Sequence, residues 1–348
     1  MRAYIEKLER EGILSEEEFV SLLKNRSKED EEYAAVRARK IADSVYGKEI
    51  YIRGLIEFTN VCKNNCYYCG IRRDNKAADR YRLSKEEILS CCKEGYELGF
   101  RTFVLQGGED PYYDDVRMVD LIATIRSKYP DCAITLSIGE KSYESYEAFF
   151  QAGADRYLLR HETADDCHYG KLHPKEMSLS NRKECLFSLK EIGYQVGCGF
   201  MVGSPYQTER EIAKDLLFIH ELKPHMVGIG PFIPHQETLF AKEAQGTLDQ
   251  TLFLLSLIRI MEKHVLLPAT TALATIDPRG REKGILSGAN VVMPNLSPKS
   301  VRKKYDLYDG KVCTGEEAAE CRHCLEKRVE SVGYKVSVSR GDYIYEKK

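Results

Sequence analysis

From Glu49 onward the chain alternates short apolar runs with longer amphipathic segments, the pattern of repeated βα units around a parallel sheet. The apolar runs predict eight strands, near 51–58, 101–106, 132–137, 155–160, 195–201, 225–230, 265–270 and 289–293. Runs such as Phe103-Val104-Leu105 and Val291-Val292-Met293 have no polar interruption, as strands covered on both faces require. The segments between them carry helix signals. Met118, Ile122, Ile125 and Tyr129 recur every three or four residues and give the segment 115–129 one apolar face. Ser84 with Glu87 and Thr208 with Glu211 are capping-box pairs, and Gly99, Gly153, Gly193 and Gly288 fall where a helix must stop before the next strand. Eight strands suffice to close a (βα)8 barrel of the TIM type, so the expected fold class is α/β.

Two stretches lie outside that alternation. Residues 1–47 read as helices with no strand, opened by Ser15-Glu16-Glu17-Glu18 and by Ser27 with Asp30, and form an N-terminal helical appendage. The barrel is expected over 48–295, and 296–348 forms a C-terminal extension that covers one end of it and carries its own cysteines.

Charge and composition narrow the partners. Lys plus Arg total 52 against 54 Asp plus Glu, a formal net charge of -2, with no long block of one sign, which argues against nucleic-acid or anionic-membrane partners and for small-molecule chemistry. The first ten residues are charged at helical spacing and lack the apolar core of a signal peptide. The longest apolar stretch, 251–261, contains Arg259 and is too short to span a bilayer, so a cytoplasmic protein is expected. In that compartment closely spaced cysteines bind metal or react more often than they pair. Of the twelve, Cys91, Cys92, Cys132, Cys167, Cys185 and Cys198 show no ligand spacing and read, for the most part, as small buried hydrophobes.

Cys62, Cys66 and Cys69 differ, because they sit together directly after the first strand, at the end of a barrel where active sites are built. Three thiolates on a four-iron cube leave one iron free for an exchangeable ligand. A zinc site, or three incidental thiols, is the bland alternative. A second group, Cys313, Cys321 and Cys324, could hold an auxiliary iron-sulfur cluster, a structural zinc completed by His323, or a reducible dithiol of Cys321 and Cys324.

The first cysteine loop, with Tyr68 before its last thiol, resembles that of the radical S-adenosylmethionine (SAM) superfamily. The resemblance implies a [4Fe-4S] cluster on Cys62, Cys66 and Cys69 whose open iron chelates SAM, and reductive cleavage of SAM to a 5′-deoxyadenosyl radical, with no catalytic side chains beyond the cluster ligands. Gly107-Gly108-Glu109 is similar to the superfamily's segment that approaches the SAM amino group; the bland reading is an ordinary turn. By the same resemblance Glu162 and Arg182, with Ser137 beside them, would bind the SAM ribose or amino group and its carboxylate, and segments containing Met201 and Val227-Gly228-Ile229-Gly230-Pro231 would flank the adenine. A surface ion pair for Arg182 and core packing for the apolar segments are the competing readings.

Longer runs resemble the HydE family of [FeFe]-hydrogenase maturases: Leu159-Arg160-His161-Glu162-Thr163, residues 226–235, Pro268-Ala269-Thr270-Thr271-Ala272 and residues 288–295. This implies an internal substrate cavity lined by Thr135, Arg160, Met226, Thr270, Thr271, Met293, Tyr305 and Tyr308. It also implies a cysteine-bound iron carbonyl-cyanide complex as substrate, the maturases HydG and HydF as partners, an electron donor, and an accessory [2Fe-2S] or [4Fe-4S] cluster on Cys313, Cys321 and Cys324. One departure is Gly203-Ser204-Pro205-Tyr206-Gln207-Thr208, where Gly-Leu-Pro-Gly-Gln-Thr is expected. Methylornithine synthase shares the barrel and the loop but is not expected to carry the second cysteine set, and biotin synthase would need a sulfur-donating cluster inside the barrel. A noncatalytic iron-sulfur scaffold or electron carrier would have no use for Gly107-Gly108-Glu109, Glu162 or a cavity.

Overall fold

The computed structural model describes residues 1–312 and 319–345. Its strands are β1 (Glu49–Ile52), β2 (Gly54–Thr59), β3 (Thr102–Gly107), β4 (Ala133–Ser137), β5 (Arg156–Leu158), β6 (Gln195–Cys198), β7 (Met201–Val202), β8 (Met226–Val227), β9 (Gly230–Pro231), β10 (Val291–Val292) and β11 (Lys335–Ser337). Six of them pair in parallel in the order β2-β3-β4-β5-β6-β8. Single bridges, Met226 to Leu266, Pro268 to Val291 and Leu55 to Asn295, carry the ring round to its start and close the barrel.

The closure departs from the sequence pattern in places that have physical causes. The expected strand at 265–270 contributes bridges rather than a ladder, since Pro268 has no N–H to donate. The expected first strand divides at Arg53, so that β1 pairs with β10 and β11 while β2 pairs with β3. The runs 195–201 and 225–230 each split as well, at Gly199 and Gly228. A Cβ on Gly199 would lie 2.0 Å from the Gly228 carbonyl oxygen, so only glycine lets the two chains approach this closely.

Helices cover the outside. Lys85–Glu97 and Glu209–Leu222 begin at the expected capping boxes, and Asp115–Lys128 buries Met118, Leu121, Ile122 and Ile125. The first 46 residues form three helices, of which Lys28–Tyr46 packs on Leu248–Met261 and Glu16–Asn25 on Glu209–Leu222. That covering explains the apolar stretch noted above: most of Leu248–Met261 is buried, and Arg259 within it donates to Gly288 O (3.0 Å), Lys263 O (2.9 Å) and Asn290 Oδ1 (3.1 Å). Among the described residues no helix is long and apolar enough to cross a membrane.

The tail reaches both ends of the barrel. At the base, beneath the strands' N-termini, Arg156 donates to Asp342 Oδ1 (2.6 Å) and Arg340 O (2.7 Å), Thr102 also donates to Arg340 O (2.8 Å), and Arg340 reaches back to Asp155 (3.0 Å). At the mouth, residues 304–312 lie across the loop that follows β2, with Gly70 N donating to Leu307 O (2.9 Å) and Asn60 Nδ2 to Lys304 O (2.7 Å).

Candidate active site

Alternation along the strands decides what faces the interior. Leu55 and Glu57 of β2, Gln106 of β3, Ser137 of β4, then Leu158 and Arg160 at the end of β5 all line one cavity of about 340 Å³ at the mouth. The cysteine loop closes its top. Arg80 organises that loop by donating to the carbonyls of Asn60 (2.6 Å), Ile71 (2.8 Å) and Arg72 (2.6 Å). Gly108 has to be glycine for the loop to sit where it does: a Cβ there would lie 2.3 Å from Val61 O and 2.8 Å from Cys62 Cβ.

Cys62, Cys66 and Cys69 all line the cavity, among its other walls Tyr68, Gly107, Gly108 and Glu109. Burial pushes the Cys69 thiol up to about 12, and raises Cys62 and Cys66 too. Thiols in such a place ionise only when a neighbouring cation takes up the charge, so the donor set fits a cationic metal cluster. Glu109 is held in place: its Oε1 accepts Glu140 N–H (3.0 Å) and Lys63 Nζ stands 3.3 Å from Oε2.

Arg160, His161 and Glu162 show how the end of β5 is aimed. His161 is buried, accepts Gly199 N–H at Nδ1 (3.3 Å) and lies 3.3 Å from Asp215. Its neighbours on both sides thereby point to the cavity, at the cost of a left-handed backbone at Glu162 (φ 66°), about 1–2 kcal/mol for a side-chain-bearing residue. Arg160 Nη2 stands 3.1 Å from Glu162 Oε2 without the alignment of a hydrogen bond. Arg160 Nε and Nη2, Glu162 Oε2, Thr270 Oγ1 and Thr135 Oγ1 are buried polar atoms with no hydrogen-bond partner. Unsatisfied groups of this kind are rare in protein interiors, and most of these surround a chamber, where a polar ligand would complete them.

Of the remaining residues expected from sequence, Ser137, Arg182, Met201, Thr270, Thr271, Met293, Tyr305 and Tyr308 line the cavity. Arg182, in the first turns of the helix Leu179–Ile192, is buried with Nε on Glu140 (2.5 Å) and Nη1 on Arg160 O (3.0 Å). Thr135 and Met226 are not among the lining residues; Met226 Sδ accepts from Arg53 (2.7 Å). Cys321 and Cys324 are joined as a disulfide at the start of the helix Arg322–Glu330, away from the cavity wall, and Cys313 lies outside the described residues. Of the lining residues that were not anticipated, two are charged, Glu57 and Lys311. Glu57 had a signal, a lone charge inside the apolar run Leu55-Ile56-Glu57-Phe58, whereas nothing local marks Lys311.

A three-cysteine βα loop closing a polar-lined chamber at the mouth of a βα barrel defines a radical SAM enzyme, and the sequence profile of the Radical SAM superfamily matches residues 56–219. That class works with a [4Fe-4S] cluster and SAM, which the thiols and unpartnered polar groups described above can accommodate. Within the class, the chain is 47% identical over 300 residues, 85% of either chain, to the [FeFe] hydrogenase maturase subunit HydE of Thermotoga maritima, and it belongs to that family. It acts in hydrogenase maturation. The crystal structure of methylornithine synthase (PylB) superposes with a TM-score of 0.83 over 96% of this chain and 97% of its own at 26% identity. That of HydG, a maturase of the [FeFe]-hydrogenase, gives 0.81 over 97% and 75% at 22% identity, a likeness of fold.

Proposed function

We propose that the chain applies radical chemistry to a cysteine-bound iron carbonyl-cyanide complex on the route to the diiron subsite of the hydrogenase H-cluster. The observation that carries this reading is the two Arg160 nitrogens that make no hydrogen bond and the bare hydroxyl of Thr270, which line one chamber whose other walls include Leu55, Leu158, Ile233 and Met293. A guanidinium with free donors in an apolar chamber suits the carboxylate of an amino acid, which it can grip by two parallel bonds. Thr271, Met293, Tyr305 and Tyr308 complete the substrate wall, and Thr135 and Met226 back it from one layer deeper.

In this reading Cys62, Cys66 and Cys69 hold the cluster. A four-iron cluster with SAM on its open iron supplies reductive cleavage of the sulfonium to methionine and a 5′-deoxyadenosyl radical. Gly107 and Gly108 let the backbone come close to SAM, Glu109 accepts from its ammonium, Arg182 takes its carboxylate, Glu162 and Ser137 hold the ribose or amino group, and Tyr68 and Met201 contribute apolar contact. The aliphatic walls keep water from a primary carbon radical. The maturases HydG and HydF would supply substrate and accept product in the cytoplasm, an electron donor would serve the cluster, and Cys313, Cys321 and Cys324, when the last two are reduced, would hold an accessory iron-sulfur cluster.

The test is anaerobic reconstitution with iron and sulfide, followed by SAM, a strong reductant and the cysteine-bound iron complex. Formation of 5′-deoxyadenosine should track the loss of the complex's infrared carbonyl and cyanide bands. Conversion of lysine to methylornithine by the same preparation would overturn the assignment.

A further inference from the structure

Lys311 enters the barrel from the strap that crosses its mouth. Its side chain is 7% exposed and that of Glu57, the carboxylate it meets, 1%. The ammonium donates to Glu57 Oε1 and to Tyr305 O (2.8 Å), and it stands 4.7 Å from the centroid of the Tyr305 ring. The other Glu57 oxygen accepts from Asn295 Nδ2 (2.8 Å), so the carboxylate is itself fixed. Lys311 therefore grips one residue, Tyr305, at its face and its backbone at once. Tyr305 is buried, its side chain meets Gln106, and both line the cavity.

Fastening the strap does not require charge. A buried ion pair loses about as much in desolvation as it gains in attraction, and an apolar pair of similar volume commonly holds two segments as well or better. What the ion pair adds is a fixed geometry. We propose that Lys311, anchored by Glu57, is a positioning residue that sets the Tyr305 ring and hydroxyl against the bound substrate, across the barrel from Arg160. This rests on the reading of the chamber as the substrate site.

The experiment compares reconstituted full-length protein with Lys311→Met and with the double variant Glu57→Gln/Lys311→Met, which leaves no unpaired charge and so guards against a folding failure. With the cysteine-bound iron complex as substrate, both variants should raise its KM about tenfold with kcat within about threefold, and produce severalfold more 5′-deoxyadenosine per complex consumed. A KM and product ratio equal to wild type, or a loss of turnover that merely follows iron content, would reduce Lys311 to an anchor of the strap. If wild-type protein leaves the complex untouched, the substrate assignment fails by itself. Lys311 is then judged by the resonance of ring-labelled Tyr305, assigned with Tyr305→Phe, which must shift in Lys311→Met; an unmoved resonance overturns the proposal.

Discussion

Arg156 and Arg160 lie four residues apart along one strand direction and on the same inward face, yet they live in opposite circumstances. At the base, every Arg156 nitrogen is engaged: Nε with Gln195 (3.2 Å), Nη1 with Thr102 (3.2 Å), Nη2 with Asp342 (2.6 Å) and Arg340 O (2.7 Å). At the mouth, Arg160 Nε and Nη2 are buried with no hydrogen-bond partner. Charge is costly to bury in both places; the first guanidinium is satisfied throughout by the protein's own hydrogen bonds, whereas the second, a third exposed, meets only the misaligned carboxylate of Glu162 at 3.1 Å. A buried charge that the chain satisfies is architecture. One that it leaves open beside a cavity is a binding group, and the same contrast separates the scattered cysteines, packed as hydrophobes except for Cys167, which is exposed against expectation, from the three that face the chamber.

The largest effect should come from breaking the mouth at its metal ligands. Cys66→Ala removes one of three thiolates, and 5′-deoxyadenosine formation should fall at least about a thousandfold with loss of the cluster's visible absorption. Cys132→Ala, a buried cysteine just before β4 on the base side, should keep the cluster and cost only about 1 kcal/mol of stability in a denaturant titration. A preparation in which both variants lost the cluster equally would erase the distinction between the two kinds of cysteine.

The arginine pair sharpens it. Arg160→Met should lower kcat/KM for the iron complex about a hundredfold, the worth of a charged hydrogen-bonding group in a dry site, while leaving the denaturation midpoint near that of the wild type, because the removal of unsatisfied nitrogens offsets the loss of the misaligned contact with Glu162. Arg156→Met should do the reverse, destabilising by about 2 kcal/mol through loss of the charged bonds to Arg340 O and Asp342, which keep only their weaker set of donors, Thr102 and Arg340, with turnover per folded molecule retained. If Arg160→Met proves the more destabilising of the two, the open nitrogens are not binding groups.

Much of this was readable along the chain. Continuous apolar runs gave β3 and β4 nearly to the residue because burial on both faces leaves no alternative composition, and the glycines at 99, 153, 193 and 288 all take the positive φ that ends a helix. What escaped the reading depended on distant partners. The strand Lys335–Ser337 is three residues long and becomes a strand only because β1 offers a free edge below β2. Arg53 interrupts a run that otherwise looks like one strand, and Lys311 acquires its role from Glu57, 254 residues away in sequence. Thr135 and Met226 were placed in the correct barrel but one layer too high, since alternation fixes which face a side chain takes and leaves its depth to the packing.

The smallest expected effect distinguishes the two straps by pH. At the base, Arg340 and Asp342 are held by guanidinium and carboxylate groups, which do not change charge near neutrality, and Asp342 is held below the usual carboxylate range despite its burial by Arg340 and Arg156; the histidine contacts of the tail, His264 to Ile344 O and His225 to Tyr343 and Tyr345, lie further along it. At the mouth, His235 Nε2 lies 3.3 Å from Asp306 and 4.0 Å from Asp309, the acids on the strap. Hydrogen bonding to Asp306 and the charges of Asp306, Asp309 and Glu237 raise the His235 pKa above its ordinary value of 6.5, outweighing both its partial burial and the Glu237 N–H that Nδ1 accepts. A group whose pKa is raised by folding stabilises fully below its unfolded value and loses that contribution as pH rises through the folded value. The mouth strap should therefore loosen between pH 6 and pH 8 while the base strap does not. Amide hydrogen exchange, corrected for its intrinsic pH dependence, should show protection at 304–309 falling over that interval in the wild type, staying flat in His235→Gln, and staying flat at 339–343 in both; a parallel loss at both ends would mean that the His235 contact carries no share of the closure.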